Sequence, residues 1–160
     1  MVNDINPPGS TGDFSGKRFG IIVSSYHDNI TGNLLDGAVE TMFEHRITND
    51  KIDVVRVPGA WEICLAARQL AATGRYAGLI CLGAVIRGET THDQHINRFV
   101  SQAIGQLSLE YNLPVGFGVL TCNTFQQAHE RSGGSVGNKG HEAASAMLEM
   151  VRLTDLTAQL

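Results

Sequence analysis

Apolar residues along this chain follow two rhythms, and the alternation between them predicts the fold. Four short runs, Phe19 to Val23, Ile52 to Val57, Ala77 to Leu82 and Val115 to Leu120, have the length and branched content of strands buried on both faces of a parallel sheet. Between and after them the period becomes helical. Ile30, Leu34, Leu35, Ala38, Val39 and Met42 share one helical face. So do Ile96, Val100, Ala103, Ile104 and Leu107, and again Ala143, Ala144, Met147, Leu148 and Val151. Thr124 followed by Gln127 has capping-box spacing and predicts one more helix start. Strand and helix in this order imply right-handed crossovers and a sheet covered on both faces. The expected architecture is a three-layer α/β/α sandwich around a parallel four-stranded sheet, of flavodoxin-like type. No repeat or linker divides the chain, so residues 1–15 are expected to form an N-terminal tail or arm and residues 16–160 a single domain.

In such a fold ligands sit beyond the carboxyl ends of the strands, which directs attention to the residues after each apolar run. Ser24, Ser25, Tyr26, His27 and Asn29 follow the first, and Pro58, Gly59, Ala60, Trp61 and Glu62 the second. The third leads into Arg87 to His92, and the fourth into Thr121 to Thr124. Gly83 to His92 runs from a strand into the first turn of a helix, where unpartnered N–H groups and the helix dipole favour an anion. His92 stands beside that turn, and an imidazole there suits proton transfer. Two aromatics, a carboxylate and an anion cradle at one end of the sheet fit a flat, hydrogen-bonding ring lying beside a phosphate. Each residue alone also has a plainer role. Trp61 can pack a helix, Tyr26 can cap a loop, and Glu62 can simply complement a helix dipole.

Composition narrows the function. Twelve Lys plus Arg against sixteen Asp plus Glu give a net charge of -4, with no basic stripe, so nucleic acid is not an expected partner. Cys64, Cys81 and Cys122 are odd in number and lie in or beside apolar elements, the pattern of reduced core cysteines in a cytoplasmic protein. The first seventeen residues are polar, with Pro7, Pro8 and Gly9, and read neither as a signal sequence nor as a membrane span. His92, Asp93 and His95 lack the further ligands of a closed metal site, so no metal is expected. The glycine-rich stretch from Arg131 to Gly140 follows no strand and lacks the ending of a phosphate loop; by itself it reads as a flexible hinge between helices, with Arg131 a surface cation. A dinucleotide fingerprint is absent too.

Three motifs in order resemble one family. Val-Pro-Gly-Ala-Trp-Glu at 57–62, Gly-Ala-Val-Ile-Arg-Gly-Glu-Thr-Thr-His at 83–92, and Gly-Val-Leu-Thr at 118–121 leading to Glu-Arg-Ser-Gly and Gly-Asn-Lys-Gly are similar to those of lumazine synthases, over about Gly16 to Leu153. The resemblance implies condensation of 5-amino-6-(D-ribitylamino)uracil with 3,4-dihydroxy-2-butanone 4-phosphate to 6,7-dimethyl-8-ribityllumazine, phosphate and water, a transferase step of riboflavin biosynthesis. The uracil brings its own amine, so no cofactor is implied. By motif, Tyr26, Ala60, Trp61, Glu62, Ala84, Val85, Ile86 and Phe117 would hold the ribitylaminouracil. Glu89, Thr90 and Arg131 would hold the butanone phosphate, His92 would shuttle protons, and Lys139 is a further candidate.

The resemblance also implies a homopentamer whose sites lie between subunits, with Phe117 and Arg131 donated by a neighbour, and association with riboflavin synthase. Some members build sixty-subunit icosahedral shells. The direct link from Gly133 to Gly140 is similar to the shell-forming type, whereas Pro7-Pro8 sits where an arm would pair with a neighbouring sheet and removes ladder donors. Two positions depart from the family pattern. Tyr26 stands where phenylalanine or tryptophan is usual, and Asp93, Gln94 and His95 replace the aromatics that usually follow His92. A binding protein for flavin-like rings and a non-enzymatic scaffold are the rival readings.

Overall fold

The computed structural model describes residues 2, 4–6 and 11–160. Pro7-Pro8, on which the reading of the arm turns, lies outside the described residues. The chain runs β1 (Phe19–Ser24), α1 (Asp28–Glu44), a 3-10 turn (Asn49–Lys51), β2 (Ile52–Val57), α2 (Ala60–Ala72), β3 (Gly78–Ile86), α3 (His92–Tyr111) and β4 (Val115–Cys122). A short α4 (Phe125–Arg131), a small hairpin of β5 (Ser132–Gly134) and β6 (Gly137–Asn138), and a long α5 (Lys139–Thr157) follow.

Four parallel strands form one sheet in the order β2-β1-β3-β4. This is the expected three-layer α/β arrangement, and alternate residues of each strand feed its two cores. Phe19, Ile21 and Val23 of β1 with Ile80, Leu82 and Ala84 of β3 pack against α1 and α5. Ile22, Leu79, Cys81 and Val85 point the other way, against Ile63 and Ala67 of α2 and Val100, Ile104 and Leu107 of α3. The three helical faces predicted from periodicity supply these contacts. Phe14, ahead of the first strand, is buried in the first core, with its ring edge-on to Phe19.

Helix α5 comes close enough to its neighbours to demand glycine at two places. A Cβ on Gly140 would lie 1.8 Å from the Leu34 carbonyl oxygen of α1, and one on Gly116 2.4 Å from that of Ala143. The glycine-rich stretch is therefore no hinge. Residues 132–138 form an antiparallel hairpin, Ser132 is buried, and the Asn138 side chain donates to the Asn33 carbonyl of α1 at 2.9 Å and caps α5 by accepting from Gly140 N. Short Ser/Gly strands have no alternating pattern to read, so the sequence did not expose them.

The outer strands of the sheet differ. β2 carries Asp53 and Arg56, while β4 has no charged side chain from Val115 to Cys122. No helix among the described residues is long and apolar enough to cross a membrane.

Candidate active site

Because β1 connects to β2 on one side and the chain then crosses to β3 on the other, the carboxyl ends of β1 and β3 splay their connections apart. That is the topological switch point of an open α/β sheet, and a cleft of about 740 Å³ lies there. Tyr26, Ala60, Trp61, Glu62, Ala84, Val85, Ile86, Thr90 and His92 all line it, so most of the residues singled out from sequence meet in one place.

Each is held by local structure. Ser25 and Tyr26 extend the β1–β2 pairing through N–H donation to the carbonyls of Val57 at 2.8 Å and Pro58 at 2.9 Å, which brings the Tyr26 ring beside the start of α2. His27 then takes a left-handed conformation (φ 60, ψ 51) that only glycine adopts freely. Its carbonyl accepts from Ile30 and Thr31, and its ring meets Tyr26 at 4.5 Å. At α2 the backbone N–H of Gly59 donates to Glu62 Oε2 at 3.0 Å. Gly59 has no side chain to reciprocate, so only the carboxylate half of a capping box exists. Glu62 thus does serve the helix end, with its second oxygen left over. Trp61 is half exposed and stacks on Phe99 of α3 at 4.1 Å between ring centroids, so it packs a helix and lines the cleft at once.

Strand β3 extends to Ile86, four residues beyond its predicted end, because the small Gly83 and Ala84 continue a buried ladder with β4. β4 likewise continues through Thr121 and Cys122. The turn after β3 is tied to that strand by Arg87 N–H donating to the Cys122 carbonyl at 2.9 Å. Helix α3 starts at His92 with Thr91 in the capping position, and no side-chain cap comes from it. The His92 N–H donates to the Thr90 hydroxyl at 3.4 Å, a long bond. Glu89 is exposed on this turn and is not among the residues lining the cleft.

Phe117, Arg131 and Lys139 fall elsewhere. They line a second concavity of about 600 Å³ between β4 and α5. Thr124 starts α4 as its spacing predicts, accepting from Gln127 N at 3.2 Å, while the Gln127 side chain accepts from Asn123 N rather than from the cap residue. That short helix ends at Arg131, which is partly buried and donates to the Gln127 carbonyl at 3.1 Å, so it is not a free surface cation. Lys139 is paired with Glu142. Burial raises the Cys122 thiol above its ordinary value, partly offset by Arg131. Cys64, Cys81 and Cys122 are all unpaired, and desolvation holds Cys64 and Cys81 in the thiol form.

His27, Gly59, Gly88, Asp93, His95 and Ile96 also line the cleft, although the family resemblance assigns none of them a substrate role. For His27 and Gly59 the signal was present, since both directly follow a strand. His95 and Ile96 follow Thr91 and His92 by one helical turn, which would have placed them on the same face.

Sheet order, layers and cleft define the class: a flavodoxin-like α/β protein with its concave site at the carboxyl ends of the strands. Residues 16–155 match the family model described as 6,7-dimethyl-8-ribityllumazine synthase, and the chain belongs to that family. It is 51% identical over 145 residues to the 6,7-dimethyl-8-ribityllumazine synthase of Rhodopirellula baltica, covering 91% of this chain and 94% of that protein. With the protein of the same name from Desulfotalea psychrophila the identity is 51% over 140 residues, 88% of this chain and 90% of the relative.

Proposed function

We propose that this chain condenses 5-amino-6-(D-ribitylamino)uracil with 3,4-dihydroxy-2-butanone 4-phosphate to 6,7-dimethyl-8-ribityllumazine. One observation carries the reading within the family: Tyr26 and Trp61, able to face a flat ring, share a cleft with the uncapped start of α3 and with His92. The uracil amine attacks the ketone to form an imine between the substrates and release water, phosphate leaves by β-elimination, and the ribitylamino nitrogen closes the ring on the carbonyl formed by tautomerisation of the resulting enol, with loss of a second water. Placement and proton transfer are what this chemistry asks of the protein. Holding two reactants in contact supplies about 7–11 kcal/mol, while a positioned acid or base adds roughly a hundred- to ten-thousandfold, so proximity is the larger contribution.

In this reading Tyr26, Ala60, Trp61, Glu62 and the Ala84–Val85–Ile86 segment hold the pyrimidine, and His92 moves protons. Glu89 and Thr90 present backbone to the phosphate. Phe117, Arg131 and Lys139 complete the cleft of an adjoining subunit in a pentamer, Arg131 as a fork for phosphate oxygens. The division of the candidates between two concavities supports that arrangement. Residues 16–160 act as the domain, with residues 1–15 an arm rooted by buried Phe14. A cytoplasmic setting completes the proposal, supported by three unpaired cysteines, with the choice between a pentamer and a shell of pentamers left to measurement.

Mixing the purified protein with both substrates and following lumazine fluorescence tests the reaction. Product must form faster than without protein; ligand binding at the uncatalysed rate of product formation would leave a binding protein instead. Sedimentation separates monomer, pentamer and shell.

A further inference from the structure

Phe99, in α3, stands off the helical face of Val100, Ile104 and Leu107 that packs on the sheet, and 40% of it is exposed. Burial in the core does not account for that ring. Its face lies on the Trp61 indole, with ring centroids 4.1 Å apart and planes 29° from parallel. Trp61 belongs to the first turn of α2 and lines the cleft, which Phe99 does not.

Helices α2 and α3 do not depend on this stack to stay together. Ile63 and Ala67 share a buried core with Val100, Ile104 and Leu107, and Arg68 donates to both oxygens of Glu110 at 2.9 and 3.0 Å while lying over the Tyr111 ring. What the stack settles is the direction of Trp61. A half-exposed indole turns about its side-chain bonds, and among the described residues Phe99 is the one aromatic ring in contact with it. An aromatic pair of this kind favours the stacked arrangement about two- to tenfold. One face of the indole is thereby committed to Phe99, and the remainder forms wall of the cleft.

We infer that Phe99 is a positioning residue, its ring holding the Trp61 indole in the orientation from which the cleft receives the ribitylaminouracil. This rests on the reaction proposed above, in which Trp61 is part of the seat of the pyrimidine. Phe99 acts through Trp61 and touches no substrate itself. A protein whose Trp61 is correctly turned only part of the time binds more weakly, by the inverse of that fraction. Removing the stack therefore costs about two- to tenfold in affinity, and the cost falls on one substrate.

Trp61 is the single tryptophan of the chain, so its fluorescence reports on this position alone. In Phe99→Leu, time-resolved anisotropy of the unliganded protein is expected to show a fast local rotation that the parent lacks, with sedimentation unchanged. Titration with ribitylaminouracil alone, followed by quenching of Trp61, should give a Kd about two- to tenfold above that of the parent, with a matching rise in its KM. The kcat and the KM for the butanone phosphate should stay within about twofold. Phe99→Tyr, which keeps the ring, should restore parent values, and Phe99→Gln, another helix former without a ring, replaces the leucine variant if that does not fold. Parent-like anisotropy or Kd in the ringless variant, or a Phe99→Tyr no better than it, would overturn the inference even though lumazine still formed. So would a ringless variant that loses the assembled state of the parent, since the ring would then belong to subunit contact. Freed rotation and weakened binding, in a protein whose parent makes no lumazine, would sink the reaction and keep the positioning.

Discussion

The two ends of the central sheet are built on opposite principles. At the amino ends of the strands, Arg18 grips Asp53 with two bonds of 2.6 Å, from Nε and Nη2, and donates through Nη1 to the Asp50 carbonyl. Tyr76 adds a hydrogen bond to the same carboxylate at 2.8 Å, so donor and acceptor are matched and little is left to bind. Arg18, with Tyr76, holds the Asp53 carboxyl down at about 2. At the carboxyl ends the matching fails. Ser24 Oγ is buried with no partner, Asp93 Oδ1 is unpartnered, and His27 is held in a left-handed backbone beside an open cleft. One end ties the strands together; the other carries unmet hydrogen bonds and strain, the usual signature of a site waiting for a ligand.

Breaking that contrast should have its largest effect at the open end. His92→Ala is expected to lower kcat about a hundred- to ten-thousandfold while leaving product formation above the uncatalysed rate. Steady-state kinetics showing complete loss in a folded variant would refute a mechanism led by proximity. Arg131→Ala is expected to raise the KM for the butanone phosphate about ten- to a hundredfold and to change that for the ribitylaminouracil little, which separate substrate titrations would show.

At the closed end the effect should be on stability alone. Asp53→Asn is expected to lower Tm by about 1–4 °C at neutral pH with kcat/KM unchanged, since a half-exposed ion pair contributes modestly. The Asp53 carboxyl sits lower in the folded protein than in the unfolded chain, so its stabilisation is complete above about pH 4 and is lost as pH falls toward 2. Thermal melts of parent and variant should therefore converge over that interval; a gap that stays constant would dissociate the network from acid stability. The smallest effect is expected from Ser24→Ala. Removing a buried hydroxyl that has no partner should raise Tm by about a degree, and a clear fall would mean that the hydroxyl is satisfied in the folded protein.

Much of the closed architecture was legible in the residues. The four apolar runs are the four strands and the three periodic faces are helices α1, α3 and α5, because burial on both sides or on one stripe leaves a compositional trace. Strand ends were less so. Gly83 interrupts the apolar run without interrupting the ladder, so β3 read four residues short, and Thr121 looked like a turn although it still pairs with Val85. The hairpin after Arg131 left no trace because glycine and serine have no preferred face. At the site, residues directly following strands could be placed from topology. The separation of Phe117, Arg131 and Lys139 from His92 could not, since it depends on how α4 and α5 pack beyond β4.

The bare outer strand β4 has a consequence for handling the protein. β2 guards its rim with Asp53 and Arg56, but Val115–Cys122 has neither charge nor proline to discourage an incoming strand. Until that rim is covered, another unfolded copy can add to it, so aggregation during refolding or overexpression should begin there and worsen with concentration.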